Sequence, residues 1–150
     1  MGHTYTSILL HVVFSTKERQ KLMNQALRER LFPYIAGIAQ TNRFKAINVG
    51  GVEDHVHCLL SLPPTLLPSK AVQLVKGGSS KWIHDTFPEH ARFAWQQGYT
   101  AFSVSISHLQ ETIAYINNQE QHHKRHTFEE EFIAFLKNHG IEYDERYVWG

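Results

Sequence analysis

The stretch Phe44-Lys-Ala-Ile-Asn-Val-Gly-Gly-Val-Glu-Asp-His-Val-His-Cys-Leu-Leu-Ser-Leu62 decides how the chain folds. Two runs rich in aliphatic residues flank a glycine pair. The segment therefore reads as a β-hairpin: a strand from Phe44 to Val49, a turn at Gly50-Gly51, and a strand from Val52 to Leu62. Pro63-Pro64 stops the second strand, and Pro68 can open a helix. Upstream, Tyr5 to Phe14 is β-branched and aromatic and reads as a buried strand. Leu22, Ala26, Leu27, Leu31, Tyr34, Ile35 and Ile38 then recur at helical spacing up to Ala39, with Pro33 expected to interrupt the helix or start a second one. Downstream, Lys70 to Phe87 is helix-like apart from Gly77-Gly78, and Tyr99 to Ser105 is a fourth strand.

The order β-α-β-β-α-β predicts an α+β, ferredoxin-like fold. Its antiparallel sheet carries helices on one face, and its first and third strands lie centrally. C-terminal helices follow. Ser107-x-x-Gln110 predicts a capping box for a helix running to about His123, and Thr127-x-x-Glu130 predicts one for a last helix ending at Gly140. The aromatic tail from Ile141 is expected to pack down.

With 150 residues, the chain is expected to form a single domain, 1–150, with its own core. Apolar residues at 42% and charged residues at 19% exclude a disordered chain. The lone Cys58 excludes an internal disulfide and a cysteine-rich zinc module. No apolar run reaches the ~18 residues of a membrane span, and Met1 to Tyr5 carries no secretion signal, so a cytoplasmic protein is expected. Residues 1–45 carry a net charge of +5 and residues 111–150 a net −4. Lys17, Arg19, Lys21, Arg43 and Lys45 could contact a polyanion, with Lys76 and Lys81 beside the Gly77-Gly78 pair. On charge alone, a solvated, salt-laced surface is the favoured explanation. The glycine pair could let backbone approach phosphate, or let two helices pack closely. Trp82 and Trp95 could stack on unpaired bases, although core packing is favoured for both.

His55-Val-His57 places two imidazoles on one face of its strand and Cys58 on the other. The pair can share a metal ion, but chance alone yields about one His-x-His in a chain this rich in histidine. Tyr115 and Gln119 share one helix face, while Leu109, Ile113 and Ile116 form another stripe that can pack on the sheet. Two imidazoles and an amide oxygen are neutral ligands, so a cation held by His55, His57 and Gln119 keeps its full charge for an anionic substrate. That donor set suits Mn²⁺, or Mg²⁺ with water and phosphate completing the shell. Such an ion would polarise a phosphodiester. It would also help Tyr115, a potential covalent nucleophile, to lose a proton of ordinary pKa near 10. Glu53 could instead complete a two-His-one-carboxylate iron site. His122, His123 and His126 read as a solvated or DNA-facing helix end, and no Glu follows His122 to make a zinc-protease motif.

Gly50-Gly-Val-Glu-Asp-His-Val-His-Cys-Leu-Leu60 and Tyr115-Ile-Asn-Asn-Gln119 together resemble the HUH single-tyrosine transposases, where U is a hydrophobic residue. These serve single-strand insertion sequences, with relatives associated with repetitive extragenic palindromes (REP). Phe14-Ser-Thr-Lys-Glu-Arg19, Lys76-Gly-Gly-Ser-Ser-Lys81 and Trp95-Gln-Gln-Gly-Tyr99 extend the similarity, which runs from about Tyr5 to Tyr147. The resemblance implies that His55, His57 and Gln119 bind a divalent metal. It implies that Tyr115 attacks single-stranded DNA near imperfect hairpins, leaving a 5′-phosphotyrosine and a free 3′-hydroxyl. Insertion-sequence members act as dimers, with the tyrosine helix of one subunit completing the other's site, whereas the palindrome-associated relatives can be monomeric; for this compact chain a homodimer is expected, acting at the nucleoid, with the placement of Tyr115 in cis or in trans left open. The alternative is a domesticated, non-catalytic binder of palindromic single-stranded DNA.

Overall fold

A computed structural model of the protein describes residues 2–149. Strands β1 (Leu9–Ser15), β2 (Lys45–Gly51), β3 (His55–Ser61) and β4 (Thr100–Ser103) form one antiparallel sheet in the order β2-β3-β1-β4. This is the expected α+β topology, with β1 and β3 central. Both central strands are buried almost throughout, whereas most of β2 is only half-buried. A strand covered on both faces can carry apolar residues at successive positions, as β1 and β3 do.

Helices α1 (Gln25–Thr41) and α2 (Pro68–Thr86) cover one face. Leu27, Leu31, Ile35 and Ala39 of α1 and Val72 and Val75 of α2 share one buried cluster with Val12, Phe14, Val56, Cys58 and Leu60 of the sheet. Truncating Leu31 or Ile35 to Ala would cost about 2–5 kcal/mol. The side chain of Asn24 starts α1 by accepting the Leu27 N–H at 2.8 Å. Pro33 does not interrupt it: α1 runs on for 17 residues. Pro33 and Glu29 are exposed, so water can satisfy the carbonyl that the proline leaves unpaired. The glycine pair in α2 is a packing feature. A methyl at Gly78 would stand 3.0 Å from Ile38 Cδ1, whereas one at Gly77 would meet nothing within 4 Å.

The opposite face is covered by α3 (Leu109–Asn117), α4 (Gln119–His122) and α5 (Phe128–Asn138). Residues paired across antiparallel strands point the same way, so His11, Val13, Ser15, His55, His57 and Leu59 all look toward this second layer. Phe135 of α5 packs its ring 5.1 Å from both His11 and Phe102.

Several boundaries depart from the sequence reading. β1 starts at Leu9, and Tyr5 to Ser7 are exposed. Gly50 and Gly51 belong to β2 rather than to the hairpin turn, which is made by residues 52–54 and closed by the Val52 N–H donating to the His55 carbonyl at 3.2 Å. The physical reason is close approach. Gly50 lies opposite His57, and a methyl there would stand 2.7 Å from both Cγ2 and the carbonyl oxygen of Ile116. The absent side chain lets α3 sit directly on the hairpin. Ser107 does not cap α3. It lies in the 3₁₀ turn Ile106–His108 and bonds Ser105 and His108 instead. The helix expected to reach His123 breaks at Asn118 into α3 and α4. The Thr127 capping box forms as expected, and Gly140 stands beyond α5 at φ 65°. The tail packs only in part: Trp149 reaches Phe132 at 5.4 Å, while Tyr147 stays exposed. Among the described residues, no helix is long and apolar enough to cross a membrane.

Gly50→Ala should destabilise the fold by about 1–3 kcal/mol, since α3 must shift. Gly37→Ala, in open space within α1, should be neutral or stabilise by up to about 1 kcal/mol. Urea unfolding compares the two, and equal midpoints would contradict the close approach.

Candidate active site

Strand β3 delivers His55 and His57 to the second layer, both fully buried. From the other side, α3 carries Tyr115, and Gln119 follows one turn later at the start of α4. Gln119 is 1% exposed, with its Oε1 3.3 Å from His55 Nε2, and its Nε2 donates to the Tyr115 carbonyl at 3.3 Å. The Tyr115 ring stands 5.8 Å from that of His57. The four residues singled out in the sequence therefore converge, and they do so within one chain.

Five further residues complete the cluster without having been singled out as site residues. Asp54 Oδ1 accepts from His55 Nδ1 at 2.7 Å, and His11 Nε2 pairs with His57 Nδ1 at 2.7 Å. These contacts occupy the outer nitrogen of each imidazole and turn the inner one, Nε2, toward the centre. There it meets Glu131 of α5: Oε1 lies 3.3 Å from His55 Nε2 and 3.0 Å from His57 Nε2. The other oxygen, Oε2, accepts the Tyr115 hydroxyl and lies 3.1 Å from His122 Nε2 and 3.3 Å from His123 Nε2. Two earlier assignments are corrected. His122 and His123 are half-buried parts of the cluster, and only His126 is an exposed helix end. The carboxylate facing the histidine pair is Glu131; Glu53 is exposed in the hairpin turn, because β3 begins only at His55.

The electrostatics follow from burial and this one anion. Burial alone would raise the Glu131 carboxyl, but the facing His123, His55 and His57 imidazoles outweigh it and hold the group ionised. Burial works against a charge on His55 too, yet Asp54 and Glu131 raise its pKa to about 9. Burial wins at His57 and His11, which fall to about 4 and about 3 and are neutral. The Tyr115 phenol is raised, first by burial and then by the Glu131 charge. Cys58 faces the α1–α2 core, where burial pushes its thiol up to about 12, so it takes no part.

The donor set fits a divalent cation. His57 Nε2 and Glu131 Oε1 lie 3.0 Å apart, fully buried, and neither makes a hydrogen bond. One ligand atom each from His55, His57, His123 and Glu131 lies within 4.8 Å of the others. Two clefts reach the cluster. One of about 450 Å³ is lined by Tyr115, His122 and Glu131; another of about 610 Å³ reaches His123 and is lined by cations (Lys21, Arg28, Lys124) and carboxylates (Glu53, Asp54, Glu120, Glu129) alike.

The basic residues are scattered. Lys17 and Lys21 are exposed on the loop after β1, where Glu18 and Arg19 both take positive φ. Arg19 pairs with Glu129 at 2.8 Å and stacks on Trp149. Arg43 and Lys45 are exposed at the α1–β2 turn. Lys76 spans the carbonyls of Gln96 and Gly98 at 2.6 and 2.8 Å, and Lys81 pairs with Asp85. Trp82 and Trp95 are half-buried against the core. Trp82 stacks on Tyr34, and Trp95 donates to Ser79.

The sequence pattern of the family described as "Transposase IS200 like" matches residues 4–119. The chain belongs to the IS200-like transposase family. This transposase is 24% identical over 109 residues to the transposase of insertion sequence element IS200 from Salmonella typhimurium, covering 69% of this chain and 72% of that one. It is 24% identical over 123 residues to the ISDra2 transposase TnpA of Deinococcus radiodurans, covering 79% and 87%. Its fold superposes with a TM-score of 0.63 on a crystallised Deinococcus radiodurans R1 protein described as a transposase, at 24% identity over 79% of this chain and 96% of that one. A REP-associated tyrosine transposase bound to a REP hairpin aligns with a TM-score of 0.60 at 13% identity, over 82% and 73%. The family match takes in His55, His57, Tyr115 and Gln119 and ends before His123 and Glu131.

In this transposase, His11 orients His57. His11→Phe keeps the ring that Phe102 and Phe135 pack against but removes the nitrogen facing His57. Its affinity for Mn²⁺ by calorimetry should fall about 10–100-fold. Wild-type affinity in the folded variant would contradict that role.

Proposed function

We propose that this chain cuts and rejoins single-stranded DNA at hairpin-marked ends, with Tyr115 as nucleophile and a divalent ion, Mg²⁺ or Mn²⁺, held by His55, His57 and Gln119. The observation that supports it is the convergence of Tyr115 and Gln119 on the two imidazoles. When bound, the cation would supply Lewis-acid polarisation of the scissile phosphodiester.

The chain's own residues do the rest. Asp54 and His11 fix the ring orientations of His55 and His57. Tyr115 Oη attacks phosphorus, and a tyrosine–phosphate bond forms as the P–O3′ bond breaks. The phenol proton passes to the Glu131 carboxylate, whose Oε2 already accepts it in the resting arrangement, and the departing 3′-oxygen takes a proton from water. The product is a 5′-phosphotyrosine and a free 3′-hydroxyl. Because the phosphodiester energy is conserved, a 3′-hydroxyl can reverse the attack and join the strands without ATP. Lys17 and Lys21, with Lys124 at the mouth of the larger cleft, would carry the DNA backbone. Arg19, Arg43, Lys45, Lys76 and Lys81 would add to it only where their present partners give way.

One chain supplies both halves of this site. A homodimer would therefore serve to hold two DNA ends, at the nucleoid in the cytoplasm, rather than to complete either centre. The whole chain, 1–150, would act as one domain.

The test is incubation with a hairpin-bearing single-stranded oligonucleotide and Mn²⁺ or Mg²⁺. A covalent protein–DNA adduct is expected with wild type and with neither Tyr115→Phe nor His57→Ala. Adduct in Tyr115→Phe would overturn the nucleophile. Hairpin binding with no adduct from any form would instead make the chain a non-cutting binder.

A further inference from the structure

We propose that Asn48 is a positioning residue for strand cleavage: a β-bulge in β2 turns its side chain onto α3, where it fixes the register in which Tyr115 meets the histidine strand. This rests on the reading of Tyr115 as nucleophile given above, and it adds a residue outside the cluster around Glu131.

The bulge is visible in the ladder. Lys45 and Ala46 pair with Ser61 and Leu60, but Asn48, not Ile47, pairs with Leu59, and Val49 and Gly50 then stand opposite Cys58 and His57. One extra residue therefore lies between Ala46 and Asn48. Such an insertion reverses the face to which every later side chain points. In an unbroken ladder Asn48 would stand opposite Cys58 and Gly50 opposite Val56, on the face packed by α1 and α2. The bulge instead sets Asn48 beside Leu59 and Gly50 beside His57, on the face covered by α3 and α5. Val49 takes the other side and packs against the α1–α2 core. Bulges recur next to active sites because they re-aim side chains in this way.

The helix uses both residues that the bulge hands to it. Asn48 Nδ2 donates to the Ile113 carbonyl at 3.3 Å and to Asn117 Oδ1 at 3.0 Å. A backbone carbonyl only accepts, which fixes the orientation of the Asn48 amide. Gly50 admits the Ile116 carbonyl and side chain. Residues 113, 116 and 117 follow i, i+3, i+4 spacing and form one face of α3. Tyr115 projects from a different face, with its ring 5.8 Å from that of His57.

The two contacts act differently. Gly50 sets how closely α3 approaches, and that contact has no direction. The Asn48 hydrogen bonds are directional, so they fix rotation about the helix axis and sliding along it. Apolar packing supplies little of that control, since α3 has nine residues and Ile116 is its one fully buried side chain. Side chains reach about 5–6 Å from a helix axis, so a rotation of ~10° moves their ends by ~1 Å. A misplacement of that size at a reacting atom can cost about 100-fold in rate.

Single-turnover formation of the covalent adduct, at saturating hairpin oligonucleotide and Mn²⁺, tests the assignment on the full chain. Wild type is compared with Asn48→Ala, Asn117→Ala, the double variant and Asn117→Asp, which keeps an oxygen acceptor facing Asn48 Nδ2. Oligonucleotide affinity by fluorescence anisotropy and folding by circular dichroism are measured on each. Asn48→Ala should slow the adduct about 10–100-fold while the oligonucleotide binds with wild-type affinity. Asn117→Ala should slow it less, since the Ile113 contact survives, and the double variant should be no slower than Asn48→Ala. Asn117→Asp should react at the wild-type rate. A wild-type rate in Asn48→Ala would overturn the proposal, as would a rate that falls only in step with oligonucleotide affinity. Should Asn48→Ala not fold, the exposed Asn117 decides alone: slowing in Asn117→Ala but not in Asn117→Asp is expected, and equal rates would overturn it. A wild type that forms no adduct would overturn it together with the reading of Tyr115 as nucleophile.

Discussion

A carboxylate buried among four imidazoles and a phenol organises half of this molecule. An ionised group without water needs compensating donors or charge, and the penalty for leaving it bare is several kcal/mol. Glu131 is 4% exposed, and its partners come from β3, α3, α4 and the turn after α4. This layer buries Ile116, Phe128 and Leu136 and stacks Phe135 on Phe102, and polar contacts converging on Glu131 tie its elements together. The α1–α2 layer, by contrast, is held by close apolar packing and gives the sheet a rigid base.

Rigidity on one face and a polar hub on the other divide the labour. β3 is the shared wall. Val56, Cys58 and Leu60 anchor it to the core, while His55 and His57 are presented with fixed rings to the helices opposite. Gly50 performs the same service from β2 by having no side chain, so that α3 can lie against the hairpin and bring Tyr115 and Gln119 into range. The positions of nucleophile and ligands thus depend on backbone proximity as much as on the side chains themselves.

Much of this was legible in the sequence. The strand order follows from the β-α-β-β-α-β rhythm. Alternation on a strand pairs His55 with His57, and i, i+4 spacing pairs Tyr115 with Gln119; that the two pairs meet was what the family resemblance implied. The glycine pair misled, because Gly-Gly between two apolar runs is turn chemistry unless a helix packs on it. Pro33 misled because an exposed carbonyl can be left to water. His11 and Asp54 were hidden, since the partner of an imidazole's outer nitrogen is a tertiary contact with no local signature. Glu131 did leave a signal. Phe128, Glu131, Phe135 and Leu136 lie on one face of α5, and an acid inside an apolar stripe marks a buried charge in need of partners. His122 and His123 looked solvated because their partners lie across the fold rather than along the chain.

Anomalous scattering from crystals grown with Mn²⁺ tests the central claim most directly, since it locates the ion without reference to activity. The strongest anomalous peak should fall between the Nε2 atoms of His55 and His57, within bonding reach of Gln119 or Glu131 and beside the Tyr115 hydroxyl. A peak on the far side of β3, or manganese confined to the surface while the histidine cluster keeps its direct contacts, would contradict it.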